Sequence, residues 1–270
     1  MRLINVRPDR GTALFLAVLP FALVVLAYIL GSAQRLAENP DDKLLPSLPS
    51  LGNAIVKMAF TADARTGDYL LWTDTFASME RLLAALAIAT VIALVIGVLV
   101  GMLPLVRALL APFVAMVSMV PPLALLPILF IVMGLGEESK IALITIGITP
   151  YLVRDLAMRV EELPREQMIK AQTLGASTWQ MMVRVVLPQI LPRLMDGLRL
   201  SLGPAFLFLI AAEAIASDSG LGYRIFLVRR YLAMDVILPY VAWITLIAVA
   251  MDFGLARARR ALFPWFGGAK

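Results

Sequence analysis

The chain has 270 residues, of which 61% are apolar and only 16% are charged, and it carries a formal net charge of +5 with no cysteine and no histidine. Soluble domains are closer to half apolar and a quarter charged, so this composition excludes an ordinary soluble fold and indicates a membrane protein. The lack of cysteine and histidine excludes disulfides, Cys/His zinc sites and Ser-His-Asp catalysis. We therefore predict neither a metal site nor a catalytic residue.

Six apolar stretches follow one another along the chain, each near the ~20 residues that cross a bilayer core. They are Thr12–Gly31, Thr75–Val100, Leu109–Leu135, Ile141–Tyr151 with its flanks, Leu194–Ala216 and Val236–Phe253. We predict an all-α membrane protein with about six transmembrane helices. The fourth stretch is the least regular, because Pro150 interrupts its apolar core.

The first stretch could be a retained span or a cleaved signal peptide. Arg2, Arg7 and Arg10 precede it, as basic residues precede a signal peptide. Its apolar core of about 19 residues is longer than the ~7–15 of a signal peptide. We therefore predict a retained transmembrane helix at 12–31.

The orientation follows from the distribution of lysine and arginine. With the N-terminus inside, most of the 24 basic residues fall in the cytoplasmic segments 1–11, 101–110, 154–199 and 254–270, as the positive-inside rule requires. We predict a multi-pass protein of the bacterial inner membrane with both termini cytoplasmic. The basic residues then mark topology and lipid contact, so membrane lipid is an expected partner and nucleic acid is not.

A long segment, 32–74, follows the first predicted span and is expected to be periplasmic. Its first part contains Pro40, Pro46 and Pro49, which indicate an extended linker. Its second part, Leu51–Phe60, has apolar residues at helical spacing and predicts a short amphipathic helix at the membrane surface. This helix could shape the outer mouth of a path or could only cap the bundle.

The second predicted span contains Gly97 and Gly101, four residues apart. This small-xxx-small spacing allows two helices in a membrane to approach closely. It predicts a tight helix contact at this position.

The third predicted span contains Pro121, Pro122 and Pro127 within its apolar run. Prolines delete backbone hydrogen bonds and kink a helix, and free carbonyls at membrane depth are tolerated only beside protein or a water-filled cavity. We predict that these prolines, with Leu123 and Leu126, line a translocation path. The alternative is a structural kink that contacts no solute.

The fifth predicted span carries a single acidic residue, Glu213, near its outer end, and a hydroxyl at Ser201. A charge on an apolar span is costly and usually functional. Glu213 could be a structural contact at an outer gate or, with Ser201, a group lining the path. At the inner ends, Asp252 is expected to pair with a basic residue of 257–260, and Asp196 and Arg199 to anchor the interface.

Residues 161–192 form a polar insert between the fourth and fifth spans. Glu161–Ile169 and Ala176–Val186 are predicted helical, with Gly175 as a turn residue between them. Pro188 is expected to end the second helix, with Pro192, before the fifth span. Apolar side chains at Met168, Ala171, Leu174, Met181, Met182, Val185 and Val186 suit docking into a groove, although the insert could instead pack on its own bundle.

The spacing within this insert is specific. Ala171 precedes Gly175 by four residues, and nine residues then separate Gly175 from Val185-Val186-Leu187-Pro188. This resembles the cytoplasmic EAA loop of ABC-importer permeases, whose pattern is EAA, three residues, Gly, nine residues and Ile-x-Leu-Pro. Ile169 and Lys170 stand where the family has Glu and Ala, so an electrostatic contact of that Glu is not expected here.

Two further stretches resemble the nitrate, sulfonate, taurine and bicarbonate branch of these permeases. They are Val120–Ile141, in which Val132-Met133 replaces the usual Trp-Phe, and Glu213–Tyr223. The resemblance extends from about Thr75 to the C-terminus, while the first span and the outer segment are generic.

This resemblance implies a type I ABC-importer permease fold with a core permease domain at 75–270 and a coupling loop at 161–192. The implied coupling residues are Ala171, Leu174, Gly175, Ala176, Val185, Leu187 and Pro188. The implied partners are an ABC ATP-binding subunit, a periplasmic or lipoprotein solute-binding protein and a second copy of the chain. The sequence itself has no G-x-x-x-x-G-K-[ST], so ATP and its hydrolysis are expected on the partner subunit, and the chain is expected to hold no cofactor.

The resemblance implies import of a small solute, and we expect a small anion such as a sulfonate or nitrate. An ion-coupled secondary transporter is the alternative, but inverted repeats and buried acidic pairs near the midplane, which it would need, are not visible. A membrane-embedded enzyme would need a catalytic cluster, and none is apparent.

Overall fold

A computed structural model describes residues 8–40, 42–64 and 66–267. The predicted basic start at Arg2 and Arg7 lies outside the described residues. The described part of the chain is helical and contains no strand, which confirms the predicted all-α class. The helices are α1 Arg10–Glu38, α2 Leu48–Phe60, α3 Leu70–Met102, α4 Pro104–Val117, α5 Leu126–Met133, α6 Glu137–Glu161, α7 Arg165–Thr173, α8 Thr178–Met181, α9 Leu187–Ile215, α10 Leu221–Arg229 and α11 Met234–Leu262, with 3-10 turns at Pro122–Leu125 and Pro264–Gly267 and a π-helical turn at Met182–Val186.

Within the described residues, five helical segments are long and apolar enough to cross a membrane: α1, α3, α6, α11 and the continuous run Thr178–Ile215. A sixth crossing is possible as a bent pair, α4 with Pro122–Met133. The count agrees with the prediction of about six spans.

The third predicted span is broken rather than merely kinked. Its two parts meet at an angle of 83° across the segment between Val117 and Pro122. Two consecutive prolines remove two N–H donors and force the residues before them out of the helical region, so the chain leaves the helix instead of bending within it.

The fourth span is longer than its apolar core suggested. α6 runs for 25 residues and continues through Pro150 to Glu161. Its buried face packs on α3 both before and after Pro150. This packing keeps the helix continuous although the proline removes one backbone hydrogen bond. Glu161 is therefore the last residue of this span, and the predicted cytoplasmic helix begins later, at Arg165.

α3 and α6 approach closely at the two predicted glycines. A Cβ on Gly97 would lie 2.9 Å from Cβ of Leu156, and one on Gly101 would lie 2.5 Å from Cβ of Val160. The predicted tight contact is confirmed, because neither position has room for a side chain.

The chain divides into two compact units, Met1–Tyr69 with Val228–Tyr240, and Leu70–Leu227 with Val241–Lys270. In the larger unit, α3, α6 and α9 share a buried apolar cluster of Val98, Leu156, Val160, Val186, Ile190 and Leu194. This cluster lies at the ends of α3 and α6 and the start of α9, next to the polar insert at 161–192.

In the smaller unit, the linker after α1 is tied to that helix by hydrogen bonds. Ser32 donates to the carbonyl of Leu45 at 2.9 Å, and the Tyr28 hydroxyl donates to Pro46 at 2.6 Å. The guanidinium of Arg35 pairs with Asp42 and holds the pKa of that carboxyl below its usual value. The predicted helix at Leu51–Phe60 is present within α2.

Candidate functional site

The turn at the end of α7 explains the spacing of Ala171 and Gly175. Gly175 has φ +79°, in the left-handed region that favours glycine. Its N–H donates to the carbonyl of Gln172 at 2.9 Å, and the N–H of Ala176 donates to the carbonyl of Ala171 at 2.9 Å. These two bonds form a Schellman motif, in which the glycine must follow the first carbonyl acceptor by four residues.

The next helix begins directly after this turn, at a capping box. The N–H of Gln180 donates to Ser177 Oγ at 3.3 Å, and the N–H of Ser177 donates to Gln180 Oε1 at 2.9 Å. The insert is therefore a helix–turn–helix in which both helix ends at the turn have satisfied backbone groups.

Pro188 and Pro192 do not end the second helix, contrary to the sequence prediction. The chain widens into the π-helical turn Met182–Val186 and continues directly into α9. In this turn the N–H of Leu187 donates to the carbonyl of Met182. The wider turn accommodates the ring of Pro188, which would otherwise meet the carbonyl four residues earlier.

One side chain joins the two helices of the insert. Gln189 Nε2 donates to the carbonyl of Val185 at 2.8 Å and to Oε1 of Gln167 on α7 at 2.9 Å. It therefore satisfies a carbonyl near the π turn and at the same time connects α7 to the start of α9.

The insert has one face on the bundle and one face exposed. Met181 and Val186 are buried, and Leu163, Met168 and Met182 pack against the apolar cluster. Ile169, Leu174 and Trp179 instead expose 58%, 86% and 70% of their surface. The sequence left open whether the insert packs on its own bundle or docks into a groove of a partner. One of its faces packs on the bundle, and the other is exposed.

The remaining predicted coupling residues lie around the turn and the π-helical segment. Gly175 is exposed, and Ala171, Ala176, Val185, Leu187 and Pro188 are half-buried. Trp179 was missed by sequence reasoning, although a tryptophan in a polar insert two positions after a helix N-cap was a usable signal.

Glu213 lies at the opposite end of the bundle, two residues before α9 ends, with no exposed surface. Its carboxylate accepts from Ser78 Oγ at 2.7 Å, from Arg81 Nη1 at 2.7 Å and from the N–H of Gly222 at 2.8 Å. The buried charge thus has both a cationic partner and neutral donors.

The cluster extends from Arg81 to α6 and to the loop after α9. Arg81 also pairs with Glu137 and donates to the carbonyl of Ser219 at 2.8 Å. Lys140 Nζ bonds Glu137 at 2.8 Å and Ser217 at 3.3 Å. Three segments of the bundle are therefore joined through one arginine.

The glycines of the stretch Glu213–Tyr223 have a structural role in this cluster. Gly220 has φ +128°, and a Cβ there would lie 2.5 Å from the carboxyl carbon of Glu213. Its N–H donates to Asp74 at 3.0 Å, and Asp74 also pairs with Arg224 at 2.8 Å. The loop therefore folds tightly around Glu213.

Sequence reasoning missed the partners of Glu213, yet a signal was present. Asp74, Ser78 and Arg81 are spaced by four and three residues, which places all three on one face of α3. A polar face on an otherwise apolar span predicts contact with another polar group, and Glu213 was the available one.

The predicted path residues fall into two groups. Pro121, Leu123 and Pro127 are exposed around the break, and Pro122 is half-buried there. Leu126 and Ser201 are buried, and the Ser201 hydroxyl donates to the carbonyl of Gly197 on its own helix at 2.9 Å. The residues around the break are thus accessible, whereas Ser201 and Glu213 are enclosed within the protomer.

Ion pairs cross between α9 and α11 at the end that bears the insert. Asp252 pairs with Arg199 at 2.8 Å, not with the basic residues that follow it on its own helix, and Arg259 pairs with Asp196 at 2.7 Å. The expected partners at 257–260 lie five to eight residues away, beyond the three- and four-residue spacing that shares a helix face.

The described residues contain no cluster of three or more acidic side chains able to hold a metal ion. Several spanning helices, a polar cluster at one end and an exposed helix–turn–helix at the other are together the features of a multi-pass membrane transport protein.

Comparison with known proteins identifies the family. Residues 89–267 match the binding-protein-dependent transport system inner membrane component. The taurine transport system permease protein TauC of Escherichia coli is 38% identical over 200 residues, covering 74% of this chain and 73% of the relative. The bicarbonate transport system permease protein CmpB of Synechocystis is 28% identical, covering 72% and 70%.

A solved structure of the MetNI methionine ABC transporter in an inward-facing conformation has the same fold, with a TM-score of 0.64 and 20% identity, covering 72% of this chain and 96% of that one. The chain belongs to the binding-protein-dependent transport permeases. It is the membrane permease of an ABC importer.

Proposed function

We propose that this permease imports a small anion by coupling the exposed face of its α7–α8 insert to a separate ATP-binding subunit. The observation that carries the proposal is the Schellman turn at Gly175, which presents Leu174 and Trp179 to the outside while Met181 and Val186 anchor the same segment in the bundle. A force applied to this exposed face would pass directly into α9.

The coupling surface is apolar rather than charged. Ile169 occupies the position at which the family has Glu, and it is exposed together with Leu174 and Trp179. Exposed large apolar side chains on short helices suit burial in a groove of another protein. We propose that Ala171, Leu174, Gly175, Ala176, Val185, Leu187 and Pro188 form the coupling segment.

The anion assignment is supported by the named relatives, which are permeases of taurine and bicarbonate transport systems. Taurine carries a sulfonate and bicarbonate is itself an anion. We infer the same chemical class for the solute of this chain, delivered by a periplasmic or lipoprotein solute-binding protein.

The proposed complex contains two copies of this chain, because ATP closes two ATP-binding subunits together and each needs one coupling segment. The proposed path runs beside Pro121, Pro122, Leu123 and Pro127 at the break, with the termini on the cytoplasmic side. The division into a cytoplasmic N-terminus, a periplasmic segment at 32–74 and a core at 75–270 is part of this proposal.

Replacing Gly175 tests the coupling proposal. The space around its Cβ is empty, so only its φ resists substitution. Gly175→Val would strain the turn by roughly 1–3 kcal/mol, and we expect loss of the ATP-binding subunit on purification and loss of uptake. Gly175→Asn should keep both, because asparagine tolerates the left-handed conformation.

Gly254→Val is the matched control, since its site is also open but its φ is not positive. It should leave subunit yield and uptake unchanged. Normal uptake and normal complex yield in Gly175→Val would contradict the proposed role of the turn.

A further inference from the structure

The strongest unexplained group in the bundle is Arg154, an exposed arginine on α6. The carbonyl of its neighbour Val153 would lie 3.2 Å from a Cβ on Gly97, which is five residues before the end of α3. Arg154 is seven residues, about 10 Å, from the end of its own helix. It therefore belongs to the helix that packs on α3, before the insert begins, and its side chain is on the exposed face of that helix.

Among the described residues, no carboxylate lies within ion-pairing distance of Arg154. The other two basic residues of α6 do have such partners, Lys140 with Glu137 and Arg159 with Asp155. Arg154 Nη1 instead donates to Ser118 Oγ at 2.8 Å, which is a neutral acceptor. A charge on a spanning helix without a counter-charge is costly and marks a functional site.

Ser118 locates this arginine at the break in the third span. It is the residue that ends α4, and it leads into the segment that turns by 83° before Pro122. The hydroxyl that accepts from Arg154 also donates to the carbonyl of Ala115 at 2.7 Å. The guanidinium thus contacts the residue three positions before Pro121, the first of the proposed path residues.

Arg154 also lines a cavity of about 250 Å³ between α3, α4 and α6. The other charged residues in its wall are Arg107 and Glu161, which pair with each other at 3.0 Å, and the rest of the wall is valine, alanine and methionine. Two cations and one anion leave a formal charge of +1. The cavity is below the ~300–1,000 Å³ of drug-sized sites, so it fits only a small solute.

Arg107 is held at the end of α3 by two backbone carbonyls and by Glu161. Its Nε donates to the carbonyl of Val100 at 3.1 Å and its Nη2 to that of Gly101 at 2.6 Å, at the end of α3. Arg154 has five N–H donors and one neutral partner among the described residues, so it retains donors for a planar or tetrahedral oxyanion.

We propose that Arg154, positioned by its hydrogen bond to Ser118, forms a small-oxyanion site on the inner half of the translocation path, at the break of the third span. This inference rests on the proposed import of an anion and adds the residues that attract it. A sulfonate or carboxylate entering the cavity would take charge-assisted hydrogen bonds from the free donors of Arg154.

The test uses a cysteine reporter in this cysteine-free chain. In the purified complex with its ATP-binding subunit, reconstituted in neutral-lipid nanodiscs, Ala115→Cys places a thiol on the cavity wall. Its rates of reaction with the anionic reagent methanethiosulfonate ethylsulfonate and with its cationic trimethylammonium analogue are compared. Arg154→Gln in the same background should lower the anion-to-cation rate ratio about tenfold, as expected for removing one nearby charge.

Arg154→Lys should retain the ratio, and Arg159→Gln, one turn along the same helix, should leave it unchanged. Leu135→Cys, at the other end of the bundle, should show no dependence on Arg154. Ethanesulfonate should slow the anionic reagent at Ala115→Cys but not at Leu135→Cys.

An unchanged ratio in Arg154→Gln overturns the site. It is also overturned if phosphatidylglycerol in the nanodisc, rather than ethanesulfonate, removes the anion preference, because the arginine then binds lipid headgroups. The rate ratio is measured without any transport assay. An unchanged ratio would therefore overturn the Arg154 site but not the proposed class of transported solute. Conversely, import of a cation would contradict that class without changing the ratio.

Discussion

Glu213 shows how a single costly charge is accommodated at membrane depth. Its carboxylate is fully buried, yet Ser78, Arg81 and the N–H of Gly222 all donate to it. A buried carboxylate without partners would be too costly to keep charged. Because Glu213 is paired and hydrogen-bonded, it instead holds α3, α9 and the following loop together. These contacts favour a structural role over a role in lining the path.

Removing this carboxylate should destabilise the protein. Glu213→Ala leaves a buried arginine with one partner fewer, and breaking a buried ion pair costs about 3–5 kcal/mol. The free energy of unfolding in mixed micelles measures this cost. Glu138→Ala, which removes an exposed carboxylate from the first turn of α6, is the control and should change it by less than ~0.5 kcal/mol.

If Glu213→Ala had the same free energy of unfolding as the control but abolished uptake, Glu213 would be a path residue and the structural interpretation would be wrong.

The sequence indicated that Glu213 is important. It could not choose between the two roles, because the choice depends on which residues of α3 face it, and helix pairing is set by packing across distant parts of the chain.

At the scale of elements, α3 and α6 can pack closely because Gly97 and Gly101 have no side chains at the contact. A Cβ on Gly101 would also lie 2.9 Å from the carbonyl oxygen of Ala157, which is backbone and cannot move aside. Gly101→Ala should therefore lower the free energy of unfolding by about 1–3 kcal/mol, as overpacked sites do.

Gly203→Ala is the matched control for this element. Gly203 is also in a spanning helix but has no atom within 4 Å of the added Cβ, so its substitution should not destabilise the protein and should raise the free energy of unfolding by up to about 1 kcal/mol. Equal stability of the two variants would mean that α3 and α6 are held by other contacts.

The transmembrane helices were largely predictable, because the apolar composition of a span and the spacing of its glycines are local features of the sequence. Three features were not. From the sequence, Pro121 and Pro122 predict a kink, and Pro188 predicts the end of a helix. The sequence also suggests that Asp252 pairs with a basic residue of its own helix. In each case a neighbouring element or a widened turn decides the outcome, and neither is visible in a local pattern.

At the scale of the whole molecule, the two ends of the larger unit have different chemistry. One end is closed by the cluster around Arg81 and Glu213, in which the described carboxylates and cations are mutually paired. The other end carries an exposed apolar surface at Ile169, Leu174 and Trp179, which precedes the start of α9, and that start lies about 39 Å along the helix from Glu213. The second end is therefore the one that we propose binds the ATP-binding subunit.

The turn at Gly175 was predictable because its spacing encodes a backbone motif, whereas the exposure of Trp179 depends on which face of the insert packs on the bundle. That face is decided by the apolar cluster at the start of α9 and by the contact of Gln189 with Gln167. The sequence therefore indicated where the proposed coupling surface begins but not which side chains form it.

Photo-cross-linking from the exposed face of the insert tests the coupling account most directly. With p-benzoylphenylalanine at position 179 in whole cells, we predict an adduct whose partner, identified by mass, contains the P-loop motif of an ATP-binding subunit. The same group at the exposed position Leu135, at the opposite end of the bundle, should give no such adduct. Absence of the adduct at 179, or the same adduct from 135, would contradict the claim that this surface couples the permease to its ATPase.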